Sequence, residues 1–383
     1  MKKNLFFVLL SFFVIVIGCT KENDESSGFV TVGKTSEYLL TVEKAKELLY
    51  DFISSDVTIR SGQPLETTVT NYKVTNYKIS SARMKSEAVE IESVPVYELI
   101  TQSKGKTGYS IVIADSRIAK VLISVEQGSA ADTLKIVPLR EYFRAIPDMI
   151  SNDLDSFYSK ESQPGERPAV TTRDFSVTTH YAFVPTLWHQ WEPYNNACPP
   201  CYLGGNCPAG CVPIALAQIM AYHRKPASLN WTAILSSPKI TSNSSPTVIN
   251  QVATFIAEIG EKTHTVYECY FTTTSSTYLI TALSYFGYTS GGYIYYTLFD
   301  VITSLSNSRP VFMAGFNSNT SPTGHAWVCD GYKKHDYGGG DAYEYLNMNW
   351  GWEDASSNGF FIVNNPPSYN GFYYNLRIIP NIK

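Results

Sequence analysis

Cys211 is preceded by Gly210 and opens the run Cys-Val-Pro-Ile-Ala-Leu-Ala-Gln-Ile-Met-Ala-Tyr-His. Pro213 is tolerated only in the first turn of a helix, and the residues after it are good helix formers. A helix is therefore expected from Cys211 to Arg224, with the cysteine at its head. A thiol in that place meets the positive end of the helix dipole and unpaired backbone amides, both of which favour the thiolate; a nearby imidazolium would lower its pKa further. Those are the conditions a nucleophilic cysteine needs. Taken alone, a cysteine at the head of a buried helix is more often a small core residue.

Three other stretches carry groups that could complete such a site. Gly324-His325-Ala326-Trp327-Val328 places an imidazole at the start of an apolar strand, between small residues that leave room for a partner. The remaining histidines, 180, 189, 223, 264 and 335, read as surface or packing residues. In Asn347-Met348-Asn349-Trp350-Gly351-Trp352 an amide precedes a tryptophan. An amide beside an imidazole can accept its N–H and fix its tautomer, and an indole can shield that bond from water; the bland alternative is a strand end with aromatic packing. Gln190, in Trp188-His189-Gln190-Trp191-Glu192-Pro193-Tyr194-Asn195, has a side-chain amide able to donate to a developing oxyanion together with the Cys211 backbone N–H.

These four blocks, in this order, resemble the streptopain family of papain-like cysteine peptidases over roughly residues 180–365. The carrying motifs are Trp-x-Gln-x-x-Pro-Tyr-Asn, Gly-Cys-Val-x-x-Ala-x-Ala-Gln-Ile-Met-x-Tyr-His, Gly-His-Ala-Trp-Val-x-Asp-Gly-Tyr and Asn-Trp-Gly-Trp, the last followed by Asn358-Gly359-Phe360-Phe361. The resemblance implies Cys211 as nucleophile, His325 as base, Asn349 as orienting amide, Gln190 as oxyanion donor and Trp350 as the tryptophan beside the amide, with neither cofactor nor metal. It also implies an α+β papain-like fold, a helical part facing a twisted antiparallel sheet, and polypeptide substrates. A weaker likeness, in the segment from Gly108 to Asp115 and the helix from Thr41, implies an N-terminal prodomain that acts as intramolecular inhibitor. Two departures concern substrate preference: Pro213 and Glu353-Asp354 replace small residues, and Cys198-Pro-Pro-Cys-Tyr-Leu-Gly-Gly-Asn-Cys207 is inserted before the nucleophile.

The elements that must position these residues follow from pattern. From Thr41, a capping threonine, Glu43 in the first turn and apolar residues at 42, 45, 48, 49 and 52 predict an amphipathic helix. Strands are expected at Val94 to Ile100, Tyr109 to Ala114 and Lys120 to Val125, giving a small α+β unit. The polar, turn-rich stretch between Tyr158 and Val177 is the best boundary. A helix is also expected near Thr297 to Leu305, with a core-facing stripe at Leu298, Val301, Ile302 and Leu305. Expected domains are a signal peptide over 1–19, a tether over 20–28, the prodomain over 29–165 and the catalytic domain over 166–383. The Gly338-Gly339-Gly340 loop is expected to border the cleft or to be a plain hairpin turn.

Lys2, Lys3, the apolar run from Leu5 to Ile17 and Gly18-Cys19 form an export signal. The run is shorter than the roughly 20 residues needed to span a bilayer. A small residue directly before Cys19 resembles a bacterial lipoprotein signal, so the expected location is an outer membrane or cell surface, anchored through lipid on Cys19 and released on activation. With a net charge of −4, nucleic acid is excluded as an expected partner. Six of the seven cysteines lie in the second half; export favours one disulfide among Cys198, Cys201 and Cys207, leaving Cys211 free. A four-thiolate zinc site in this cluster would be cramped. Two further readings stay open: a catalytically inactive, surface-displayed binding lipoprotein on the same fold, and an acyltransferase or amidase using the same pair.

Overall fold

The structure, a computed structural model, describes residues 38–60, 67–80, 91–161, 176–317, 324–336, 342–353, 357–363 and 374–383. The expected signal peptide and tether, most of the linker between Tyr158 and Val177, and the Gly338-Gly339-Gly340 loop lie outside the described residues. Among the described residues, no helix is long and apolar enough to cross a membrane.

The N-terminal unit begins with helix α1 (Val42–Arg60). Thr41 Oγ1 accepts from the Lys44 amide at 3.4 Å, and Ala45, Leu49 and Phe52 point into the core, one side of a helix at spacings of four and three. Strands β1 (Thr68–Ser80), β2 (Ile91–Ser103), β3 (Lys106–Ile113) and β4 (Lys120–Val125) form an antiparallel meander, followed by α2 (Ala130–Thr133), α3 (Val137–Arg144) and α4 (Ile146–Glu161). Three of these strands match the expected ones; β1 and the helices after β4 were not anticipated.

The second unit runs β5 (Ser176–Tyr181), α5 (Cys211–His223), α6 (Trp231–Ile234), α7 (Pro246–Lys262), β6 (Val266–Tyr267), β7 (Thr272–Thr273), α8 (Leu279–Tyr285), β8 (Ile294–Tyr295), α9 (Leu298–Ser306), β9 (Val311–Phe316), β10 (Gly324–Asp336), β11 (Ala342–Asn349), β12 (Gly359–Ile362) and β13 (Tyr374–Ile379). Its sheet has β10 at the centre, buried along nearly its whole length and paired to β9, β11 and β5. Helix α5 packs on β10 and β9 on one side and on α7 on the other. This is the papain-like α+β arrangement.

The two units share one sheet. β4 pairs antiparallel with β12, Phe360 opposite Ser124 and Phe361 opposite Ile123, so the strands run in the order β1-β2-β3-β4-β12-β11-β10-β9-β13-β8. One apolar core crosses the join: Leu49, Phe52, Val112 and Leu122 pack in the same cluster as Trp327, Tyr345, Trp350 and Phe361. A second core, around Trp188, Leu216, Met220 and Ile256, lies beneath α5 and α7.

Candidate active site

Helix α5 starts at Cys211, with Gly210 as its N-cap at φ +95°. A Cβ there would also lie 2.7 Å from Thr272 Oγ1, so both backbone conformation and space demand glycine. Pro213 occupies the first turn, and Arg224 ends the helix in the left-handed region at φ +52°. The Cys211 thiol is unbridged. The backbone of Ala326, Val212 and Cys211 itself pulls the thiol pKa down. Ala326 follows His325 on β10, so the head of α5 meets the start of the histidine's strand.

Burial raises the pKa of the Cys211 thiol, and those backbone groups offset only part of the rise. His325 is buried, and desolvation pushes its pKa down to about 4, against the opposing pull of its hydrogen bond to Trp350. Both directions favour the neutral thiol and neutral imidazole at neutral pH. Desolvation thus works against the thiolate expected from the helix dipole.

His325 Nε2 lies 2.8 Å from the Trp350 carbonyl oxygen. A carbonyl only accepts, so Nε2 carries the hydrogen. The ring stacks on Trp352 at 4.1 Å with an interplanar angle of 7°. The orienting acceptor of this nitrogen is thus the backbone of Trp350, one residue beyond the expected amide. Asn349 is engaged elsewhere: its Nδ2 donates to Thr186 O at 2.8 Å and to Gln218 Oε1 at 3.1 Å. Trp350 is fully buried and packs on Trp327 and Phe361, with its amide held by Asn358 Oδ1 at 2.9 Å. The shielding ring in direct contact with the imidazole is Trp352. Gly351, at φ +71°, makes the turn that sends the two indoles different ways.

Gln190 joins this neighbourhood through its backbone: its carbonyl accepts from the Ala209 amide at 2.8 Å, two residues before the nucleophile. Gln218 was missed by sequence reasoning. It sits two helical turns from Cys211 on α5, fully buried, and its Oε1 accepts from Thr186 Oγ1, the Trp188 amide and Asn349 Nδ2. One side chain thereby ties the nucleophile's helix to the loop leading to Gln190 and to the end of β11. The signal was a polar residue amid the apolar positions of α5, quoted within the motif yet given no role. A groove lined by Leu187, Asp330, Asn347 and Asn349 is closed on its other side by Lys104, Lys106, Glu126 and Gln127 of the N-terminal unit.

The disulfide expectation needs correction. Cys201 pairs with Cys269, 68 residues away, rather than with Cys198 or Cys207. The fold brings the hairpin of β6 and β7 over the inserted loop, a long-range contact that local spacing does not encode. Engagement of Cys201 in that bridge also removes it from any four-thiolate zinc site.

A model of the Peptidase C10 family matches residues 188–229 and 227–361. The second unit of the chain therefore matches the Peptidase C10 family across its candidate site. This is the streptopain family of papain-like cysteine peptidases, and the match spans all four motif blocks. A curated relative, the thiol protease/hemagglutinin PrtT of Porphyromonas gingivalis, is 25% identical over 298 residues, covering 67% of this chain; the chain spans 33% of that protein's length. Among solved structures, a prointerpain A fragment from Prevotella intermedia superposes with a TM-score of 0.50 at 18% identity, covering 80% of this chain and 98% of that one. Active wild-type interpain A from the same organism matches with a TM-score of 0.44 at 20% identity, over 56% of this chain and 98% of that one. The chain shares the fold of the prointerpain fragment across both of its units.

Proposed function

We propose that this chain is an exported cysteine endopeptidase made as a zymogen, with residues 29–165 as its inhibitory prodomain and 166–383 as its catalytic domain. The observation that carries the reading is the unbridged thiol of Cys211 at the head of α5, a helix packed on β10, the strand on which His325 stands second. In the reaction, His325 takes the Cys211 thiol proton and the resulting thiolate attacks the peptide carbonyl carbon. The oxyanion is held by the Gln190 side chain and the Cys211 amide, and His325 protonates the departing amine. Water, deprotonated by His325, then hydrolyses the thioester and restores the thiol. The Trp350 carbonyl fixes the imidazole and the Trp352 indole shelters it, while Asn349, tied to Gln218, braces the end of β11 beside them.

A latent form would keep the pair neutral, and residues of the N-terminal unit, Lys104, Lys106, Glu126 and Gln127, line one groove with Asn349 of the catalytic unit. Cleavage within the linker between Tyr158 and Val177 would also free the catalytic part from a lipid anchor on Cys19, placing the precursor at a bacterial outer membrane or cell surface. The deciding experiment treats the full-length protein, before and after its own processing, with an epoxide inhibitor of cysteine peptidases and locates the label by mass spectrometry. Label on Cys211 only after processing supports the reading. A processed protein that cleaves no peptide and takes no label on Cys211 refutes it.

A further inference from the structure

Gln218 lies fully buried two helical turns along α5 from Cys211, among apolar neighbours. An amide in such a place is costly unless its polar atoms are paired. Its Oε1 accepts from Thr186 Oγ1 at 3.1 Å, from the Trp188 amide at 3.2 Å and from Asn349 Nδ2 at 3.1 Å. Its Nε2 donates to Asn349 Oδ1 at 3.4 Å, so the two side-chain amides pair reciprocally between α5 and the end of β11. Backbone groups decide which way each amide faces. The Trp188 N–H can only donate, which turns the oxygen of Gln218 towards it, and the Thr186 carbonyl at 2.8 Å can only accept, which turns Asn349 Nδ2 towards it.

The pair reaches the imidazole through one further bond. Asn349 Oδ1 also accepts from the Gly351 amide at 3.3 Å. Gly351 stands between the two groups that hold His325: the Trp350 carbonyl, 2.8 Å from Nε2, and the Trp352 ring, stacked at 4.1 Å. The turn presses on α5, since a Cβ on Gly351 would lie 3.2 Å from Ile214 Cγ2 and 3.9 Å from Gln218 Nε2. A continuous path therefore runs from Gln218 through Asn349 and the Gly351 N–H to the acceptor and the ring that orient the imidazole.

Resting on the peptidase reading above, we infer that Gln218 is a positioning residue for His325, acting through Asn349 and the Gly351 turn. Without the amide pair, the turn loses the support that sets Asn349 Oδ1 against the Gly351 N–H, and the Trp350 carbonyl is free to move away from Nε2. Desolvation disfavours the imidazolium, and that carbonyl opposes it. A displaced carbonyl leaves less imidazolium, and so less of Cys211 as the reactive thiolate. The Thr186 hydroxyl and Trp188 amide tie Gln218 to a different segment, which allows support of the fold to be separated from support of the base.

Alkylation of Cys211 by iodoacetamide, timed by mass spectrometry, reads the thiolate without peptide turnover. It is measured on the full chain after incubation under the conditions that process the wild type, alongside kcat and KM on a peptide. Gln218→Met, an unbranched side chain without the amide, should lower the alkylation rate and kcat about tenfold each and leave KM within about twofold. Asn349→Ala should lower alkylation as much, and adding Gln218→Met to it should cost less than about twofold more, because the residue it acts through is gone. Thr186→Val, which removes a different bond to Gln218, should lower the melting temperature and keep the wild-type alkylation rate. Wild-type alkylation in a folded Gln218→Met, losses that multiply in the double variant, or an equal loss in Thr186→Val overturns the assignment. Where Gln218→Met does not fold, Asn349→Ala is read alone, and wild-type alkylation in it overturns the assignment too. Alkylation that depends on Gln218 in a chain that cleaves no peptide would keep the positioning role and sink the peptidase reading instead.

Discussion

The seam between β4 and β12 is buried and largely apolar, whereas the loop pair joined by Cys201–Cys269 stands in solvent with its rings exposed. At the seam Phe52 packs on His335, Tyr345 and Phe360, and the buried Lys333 ammonium donates to the Phe52 carbonyl at 2.7 Å while lying 3.8 Å from the centre of its ring. Tyr345 donates across the join to Val121 O at 3.0 Å. Burial, strand pairing and hydrogen bonds hold these surfaces without a covalent bond across the seam, and such contacts can be undone when one side is cut away. The loops have little buried area, so a covalent bond supplies what packing does not. Each region is fastened by a different means: reversible for a segment that must leave, permanent for one that must keep its shape in water.

Several changes would break or sharpen that contrast. The largest effect is expected for Cys211→Ala, which should lower peptide cleavage at least about 10,000-fold and remain full length under conditions that shorten the wild type, as read by gel and mass spectrometry. Phe52→Ala should cost about 3 to 5 kcal/mol at the seam, measured by denaturant unfolding, and should let unprocessed protein cleave peptides. A latent, fully stable Phe52→Ala protein would show that the seam does not hold the inhibitor. Gln190→Ala, which leaves the seam untouched, should reduce kcat about 100- to 1,000-fold with detectable residual turnover.

Acid should act on the seam and on the neighbourhood of the candidate active site at once. His325 and His189 are held near pKa 4 and His335 near 3, each first by desolvation, against 6.5 for the free side chain. Between those values the unfolded chain binds protons that the folded chain refuses, so stability should fall as pH drops from about 6.5 towards 4. Denaturant midpoints across that range measure it, and His335→Gln should remove the share of the loss that belongs to the seam. The smallest effect is expected for Gln218→Leu, about 1 to 3 kcal/mol from the polar partners it leaves unsatisfied, seen as a lowered melting temperature.

What could be read in advance was local. The α1 cap and stripe, the three strands β2 to β4 and the helix led by Cys211 all follow from residue periodicity and punctuation that act over a few residues. β1 escaped because Thr68 to Ser80 is largely exposed and lacks a clean apolar alternation. Trp352 lay within a motif that was recognised, yet nothing local tells which of two indoles separated by a glycine meets the imidazole. Gln218 was legible only as a polar residue in an apolar helix; its partners Thr186 and Asn349 lie 32 and 131 residues away.

By itself the sequence determined the family, the thiol at its helix head and the elements around it, because helix starts, turns and motif order are written in near neighbours. Only the tertiary structure decided that Cys201 bonds Cys269, that His325 leans on Trp352 and Trp350 rather than on Asn349, and that β4 continues the sheet through β12. Those outcomes depend on contacts between residues far apart in the chain, where closure of the whole core rather than any local preference sets which groups meet.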